Sequence, residues 1–412
     1  MPIIESLLDT DQYILTMCQA SFHQATKAVV KYKFKCRNGS AVPKHNTELF
    51  IEMLNEQIDH YCSLTFGIKE LGYLADIKCG PKVPPLFKRS FMDFLRLFKP
   101  NRDHIQAFID KNNDLQIIIE GPMYLVIWFE VPVLAMVSEL NNRTLFNPGF
   151  DFQDVNVGYQ RLVAKVAFLH GALEPEDPFW FVDFGTRRRY AKFWQERVIE
   201  YLIEHAPWFV GTSNLYFAMK FGIKAIGTMA HAWFQLFQRM RYRLGVSQKA
   251  ALSAWVNEYQ GDLGIALSDI GGFDWFLKDF NLYYAKLFDG CRHDSGYPSV
   301  WCKKLIKHYE DLRIDPKTKT AVFSDGLDFN KALALYFAFS RKIKTSFGIG
   351  TWLTNDMGVK EALQIVIKMI ECNGGPVSKR SDSKGKGMCE DPKFDAYFGK
   401  VIAEETANGI VY

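Results

Sequence analysis

The chain has 412 residues, 48% hydrophobic and 23% charged, which excludes a disordered or fibrous protein. Lys and Arg total 50 against 46 Asp and Glu, and a net charge of +4 over this length is too weak to argue for nucleic acid. Aromatic residues reach 15%, so the core can be large, and at about 150 residues per domain the length allows two or three domains.

No two of the eight cysteines have CxxC or zinc-finger spacing, and a chain this long needs no disulfide framework. Reduced thiols and a cytoplasmic location are expected. The opening Met1-Pro2-Ile3-Ile4-Glu5 lacks the basic-then-apolar order of a signal peptide. The most apolar run, 123–140, is interrupted by Glu130 and Pro132 and reads as too short and broken to cross a bilayer, so no membrane is expected.

In chain order, Val30, Tyr32, Phe34 and Cys36 alternate with Lys31, Lys33 and Lys35, the pattern of a half-buried strand. Helical spacing follows at 49–64 and 91–98. The run 115–119 reads as a buried strand, closed by Gly121-Pro122, and a long helix is expected from there to about Asn141. Segment 142–154 is polar and turn-rich, the mark of a domain boundary. From about 178, short apolar runs precede helix-like stretches: 179–183 before 188–205, 208–210 before 214–221, 224–227 before 231–243, and 264–267 before 273–280. Further runs lie at 320–323 and 343–347. This alternation implies a parallel sheet covered by helices. Six or more such units without a GxGxxG fingerprint favour a closed α/β barrel. Segment 373–386, rich in Gly, Ser and Lys, reads as a mobile loop.

In a parallel barrel the loops after the strands build the site. The runs lead into Asp183-Phe184-Gly185-Thr186-Arg187-Arg188-Arg189, Gly211-Thr212-Ser213-Asn214, and Gly227-Thr228-Met229-Ala230-His231. Later they lead into Ser268-Asp269, then from Leu287-Phe288 into Asp289–Gly296, into Ser324-Asp325-Gly326, and into Gly348-Ile349-Gly350-Thr351. Small residues let backbone N–H groups approach a ligand, helix N-termini favour phosphate, and arginines grip phosphate or carboxylate in pairs of bonds. The ligand inferred is anionic and phosphorylated, with room for an organic acid. Each piece alone is ordinary turn chemistry. Three arginines at a helix start oppose the helix dipole, a local conflict that points to function. There is no GxxxxGK[ST], HExxH or GxSxG, so any use of ATP is not through a Walker loop.

At these residues the chain resembles the nicotinate phosphoribosyltransferases. The likeness is carried by 9–17 (DTDQYILTM), 182–190 (VDFGTRRRY), 210–233 (VGTSNLYFAMKFGIKAIGTMAHAW), 290–296 (GCRHDSG), 323–328 (FSDGLD), 346–356 (SFGIGTWLTND) and 371–386 (ECNGGPVSKRSDSKGK). It runs through nearly the whole chain. The resemblance implies the type II phosphoribosyltransferase fold: an irregular, TIM-like α/β barrel over 146–355, and an α+β domain built from 1–145 and the returning segment 356–412. It implies nicotinate and phosphoribosyl pyrophosphate as substrates, giving nicotinate mononucleotide and pyrophosphate in NAD salvage. ATP hydrolysis would be coupled through a phosphohistidine with magnesium present, in a homodimer sharing its sites.

By the same resemblance, Phe184 and a partner subunit's copy of Tyr13 would sandwich the pyridine ring. Arg187 and Arg292 would face its carboxylate or the phosphates, and Thr228 would offer a hydroxyl to substrate. Asp294 would lie beneath the ribose, where a fixed carboxylate stabilises positive charge developing at the anomeric carbon. Gly326, Gly348, Gly350 and Thr351 would bind the 5-phosphate. His231 would be the phosphorylated residue, with Asp269 holding its other nitrogen. The segment 379–386 would close over phosphates. One departure stands out: the family more usually has His-Glu-Trp where this chain has His231-Ala232-Trp233, which predicts looser ATP coupling. The alternatives are a sister enzyme for nicotinamide or quinolinate, a catalytically silent metabolite-binding relative, and an unrelated phosphosugar barrel.

Overall fold

A computed structural model describes residues 1–43, 46–80, 83–146, 151–358, 361–383 and 386–407. Its strands are β1 (Val29–Cys36), β2 (Ile105–Ile109), β3 (Leu115–Pro122), β4 (Trp180–Asp183), β5 (Phe209–Thr212) and β6 (Lys224–Ala225), followed by β7 (Ile265–Leu267), β8 (Gly290–His293), β9 (Thr320–Phe323), β10 (Lys344–Ile349), β11 (Ile365–Cys372) and β12 (Gly375–Pro376). They form two sheets.

The antiparallel sheet has the order β12-β11-β1-β3-β2, so C-terminal strands complete a sheet begun near the N-terminus. In β1 the expected alternation holds: Val30, Tyr32 and Phe34 are buried. On the other face Lys31 and Lys33 pair with Glu120 and Glu390. The expected helices are present as Thr47–Ser63 and Arg89–Leu97. Between the sheets runs the helix Glu130–Asn142, buried at every residue, packed on β11, the helix Thr47–Ser63 and the turn Thr186–Arg188. With the turns before it the run spans Met123–Asn142, 20 residues of mean hydropathy 1.6, so it is long and apolar enough to cross a membrane. Glu130 and Pro132 do not break it, because both lie in the first turn of the helix, where proline removes no intrahelical hydrogen bond. Its apolar window is 89% buried within the protein, which accounts for the composition.

The second sheet is wholly parallel, in the order β6-β5-β4-β10-β9-β8-β7. It curls, and side chains bridge its two edges. The Thr228 hydroxyl, just past β6, donates to the Ile265 carbonyl of β7 at 3.0 Å. The helix Gln12–Gln24 caps the same seam: Gln12 Nε2 donates to the Gly227 carbonyl at 2.9 Å and Thr16 Oγ1 to the Thr228 carbonyl at 2.6 Å. This is the irregular α/β barrel expected from the sequence.

Two local expectations shift. The run Leu287-Phe288 is not a strand; Leu287 ends the helix Leu282–Leu287, and β8 begins at Gly290. A Cβ on Gly290 would sit 1.9 Å from the Thr320 carbonyl oxygen, so the strand needs a glycine that hydrophobic patterning overlooks. The helix after β4 starts at Lys192 and not at 188, because Thr186–Arg188 forms a separate 3-10 turn. Of the expected boundary at 142–154, positions 147–150 lie outside the described residues.

Candidate active site

His231 opens the helix after β6, Asp269 follows β7 by two residues, and Asp294 directly follows β8. The barrel brings all three together. His231 Nε2 lies 2.8 Å from Asp269 Oδ1 and 3.6 Å from Asp294 Oδ2. Asp269 Oδ2 accepts from the Ser295 hydroxyl at 2.6 Å and from Lys379 Nζ at 2.8 Å. Asp294 is more open and reaches the Ser324 hydroxyl at 3.4 Å.

Burial pushes the imidazole pKa down to about 4, and the attraction of Asp269 only partly offsets this. Burial by itself would raise the Asp269 carboxyl, but the His231 ring and the Lys379 ammonium outweigh it and hold the group well below the usual carboxylate range. Asp294 is also held low: burial and Asp269 oppose its ionisation, and His231, Arg292 and Lys379 favour it. At neutral pH the arrangement is therefore a neutral imidazole between two carboxylates. Nε2–H donates to Asp269, which leaves the lone pair on Nδ1.

Phe184 follows β4, and its backbone N–H bonds the Ile349 carbonyl of β10 at 2.9 Å. Its half-buried ring rests against Gly348, where a Cβ would lie 2.2 Å from the ring. A Cβ on Gly350 would come 3.1 Å from the Phe184 carbonyl oxygen. These two glycines thus seat the Phe184 segment. Thr351 opens the short helix Thr351–Thr354, and Gly326 turns the chain after β9 at φ +57°.

The three consecutive arginines divide their duties. Arg189 is fully buried and grips Asp9 with two bonds of 2.7 and 2.8 Å. Arg188 donates to the Ile365 carbonyl at 2.8 Å and so ties the β4 turn to the other sheet. Burial and its neighbours Arg187 and Arg37 lower its pKa to about 9. Arg187 forms no hydrogen bond or ion pair with another described residue. Burial opposes its charge, yet Tyr13, Glu130, Asp294 and Asp11 more than compensate and raise its pKa. Arg292 lies within β8 and not in a loop, and its buried Nε has no partner among the described residues.

Tyr13 and Thr228 both lie beside the barrel seam. Within the chain, the Tyr13 backbone N lies 3.2 Å from where a Gly227 Cβ would stand. Its phenol oxygen is buried without a hydrogen-bond partner among the described residues. Burial, Glu130 and Asp11 raise its pKa, while Arg187 and Arg292 pull the other way. The Thr228 hydroxyl donates to the Ile265 carbonyl across the barrel seam, which leaves its oxygen able to accept.

Segment 373–386 makes several hydrogen bonds to the barrel and to its own continuation. Lys379 pairs through its backbone with Met388, and the Arg380 N–H bonds the Ile270 carbonyl at 2.8 Å. The Asp382 N–H reaches Ser295 Oγ at 3.2 Å, the Gly296 N–H reaches Ser383 Oγ at 2.8 Å, and Lys386 pairs with Asp325. Positions 384 and 385 lie outside the described residues.

Lys379 and Ser295 are the contributors that motif reading did not single out. Lys368 of β11 and Glu130 also belong to this charged group. Burial lowers the Lys368 pKa to about 8, and Glu130 works against the shift. Each is a lone charge inside an apolar run, a signal that was available in the sequence. His231, Asp269 and Asp294 offer ligand atoms within 4.8 Å of one another, the spacing of a possible metal centre. The donor set does not suit an open cation site, however, because both Asp269 oxygens are engaged and the Lys379 ammonium already supplies positive charge there.

Together these features define an α/β-barrel protein of enzyme type, with a buried histidine–carboxylate pair at the ends of its strands. A sequence model of the nicotinate phosphoribosyltransferase family matches residues 179–405, and one of that family's N-terminal domain matches 8–138. The chain is 48% identical to the nicotinate phosphoribosyltransferase of Neisseria meningitidis serogroup C over 406 residues, 97% of each chain. It is 48% identical to that of Acinetobacter baylyi over 413 residues, 98% of each. Among solved structures it superposes on the Vibrio cholerae nicotinate phosphoribosyltransferase with a TM-score of 0.90 at 36% identity, covering 98% of this chain and 94% of that one. For the Porphyromonas gingivalis protein the TM-score is 0.87 at 32% identity, covering 97% and 100%. The chain belongs to the nicotinate phosphoribosyltransferase family.

Proposed function

We propose that the protein joins nicotinate to phosphoribosyl pyrophosphate in NAD salvage, with ATP hydrolysis coupled through a phosphohistidine at His231. The observation that carries the substrate reading is Arg187, a guanidinium with no ion pair among the described residues, in the same strand-end segment as the half-buried Phe184 ring. A flat ring and a guanidinium suit a planar aromatic acid. The nicotinate ring nitrogen attacks the anomeric carbon, the bond to pyrophosphate breaks, and pyrophosphate leaves with the electron pair. Asp294, ionised and facing Arg292, is the group suited to stabilise positive charge at that carbon.

For the ATP step, the Nδ1 lone pair attacks the γ-phosphorus as the bond to ADP breaks. Water later cleaves the N–P bond and releases phosphate. The support for this reading is the neutral ring, held through Nε2 by Asp269. Magnesium is best placed on the phosphates of the substrates, since it binds through few protein ligands when phosphates are present. The 5-phosphate falls to the segment after β9 and β10, where Gly326 and Thr351 lie. A partner subunit's copy of Tyr13 is proposed to cover the pyridine, in a homodimer that shares its sites. Eight unpaired cysteines accord with a reducing, cytoplasmic setting.

The test measures nicotinate mononucleotide from nicotinate and phosphoribosyl pyrophosphate with magnesium, with and without ATP, beside a nicotinamide control. Product from nicotinate, boosted by ATP, is expected. Product without an ATP effect would remove the coupling and point to Ala232. No product from any pyridine would turn the reading toward a silent relative.

A further inference from the structure

Two carboxylates and a lysine meet around one imidazole, and the lysine has no place in the chemistry above. Lys379 comes from the C-terminal segment and not from a barrel strand. It is buried to 6% exposure and fixed at both ends: its backbone bridges Met388, and its ammonium lies 2.8 Å from Asp269 Oδ2. The other oxygen of the same carboxylate holds His231 at 2.8 Å. A buried imidazole facing Asp269 and Asp294 alone would be drawn toward the doubly protonated, cationic form, and a protonated Nδ1 has no lone pair to offer. A positive charge on the far side of Asp269 cancels part of that pull. It also fixes the carboxylate in the rotamer that meets the ring, with Ser295 as second donor at 2.6 Å.

We propose that Lys379 is a positioning residue for His231: its ammonium orients Asp269 and neutralises that carboxylate's charge, so that Nδ1 stays unprotonated and nucleophilic. This inference rests on the phosphohistidine reading for its purpose, but not for its test. The charged groups facing His231 are Asp269 at the end of β7, Asp294 after β8 and Lys379 from the C-terminal segment. Arg292 acts on Asp294, and Asp382 lies near both Asp269 and Lys379. Of those facing the ring, only Lys379 works against its protonation alongside burial. A unit charge about 6 Å away at an effective dielectric of about 20 moves a pKa by about two units.

The experiment is an NMR titration of the full chain with 13C-labelled histidine, the His231 signal assigned by its loss in His231→Gln. In the wild type the ring should stay neutral down to the low midpoint of about 4. Lys379→Met, which keeps the length of the side chain and removes its charge, should raise the midpoint by about two pH units. Lys379→Arg should leave it near wild type. An unchanged midpoint in Lys379→Met overturns the proposal. An equal rise in the Met and Arg variants also overturns it, since that would be an effect of packing and not of charge. The other histidine signals report whether each variant is folded. Phosphoenzyme formation is assayed separately, so a wild type that forms none removes the phosphohistidine reading while leaving the midpoint test intact.

Discussion

Replacing Gly348 by alanine would drive a methyl group into the Phe184 ring. The added Cβ would lie 2.2 Å from a ring carbon, whereas carbon atoms settle at about 3.5 Å or more, so the ring must move by about 1.3 Å. The backbone cannot yield easily, because Gly348 sits inside β10 between β4 and β9. Such overpacking costs about 1–3 kcal/mol of stability. The larger effect falls on the site. A displaced ring forfeits most of an aromatic stacking contact worth about 0.5–1.5 kcal/mol, and misplacement by about 1 Å can cost up to about 100-fold in rate. We therefore expect kcat/KM for nicotinate to fall about 10- to 100-fold, with the KM for phosphoribosyl pyrophosphate close to wild type. Steady-state kinetics with each substrate varied in turn, and thermal unfolding, provide the measurements. A double-mutant cycle sharpens the test: in a Phe184→Ala background, Gly348→Ala should cost almost nothing more. Additive losses, or wild-type kinetics for Gly348→Ala, would refute the clash.

Two further substitutions probe other parts of the molecule. Asp9→Asn leaves Arg189 fully buried without its counter-charge and should cost about 3–5 kcal/mol in urea unfolding; a loss below about 1 kcal/mol would mean that water or another acid replaces Asp9. Asp294→Asn should lower kcat far more than it raises KM, since the charge acts on the transition state, and unchanged turnover would reject that role.

Much of the architecture was legible residue by residue. The alternation of lysines with Val30, Tyr32 and Phe34 marked β1, and the apolar runs at 179–183, 208–210, 264–267, 320–323 and 343–347 fell on β4, β5, β7, β9 and β10. Hydrophobic period is a local property, and these strands are short, buried and flanked by turn residues. The strand at Gly290–His293 escaped because its pairing depends on a glycine approaching Thr320 and not on a run of apolar side chains.

The residue types of the site, and the order of the segments carrying them, could be read from the chain because strand ends in a parallel barrel converge on one face. Which neighbours they meet could not. In Arg187-Arg188-Arg189 three identical side chains stand side by side in sequence, yet one has no hydrogen bond or ion pair with a described residue, one clamps the second sheet and one is locked to Asp9, 180 residues away. Nothing beside Thr228 in sequence showed that its hydroxyl would donate across the barrel seam to Ile265. Lys379 looked like part of a polar loop until the fold set its ammonium against Asp269, 110 residues distant. Pattern along a chain reports which face a side chain turns toward the core. Charge pairing, hydrogen-bond partners and the proton affinity of His231 depend on groups brought from far apart, and those arise only once the two sheets have closed on each other.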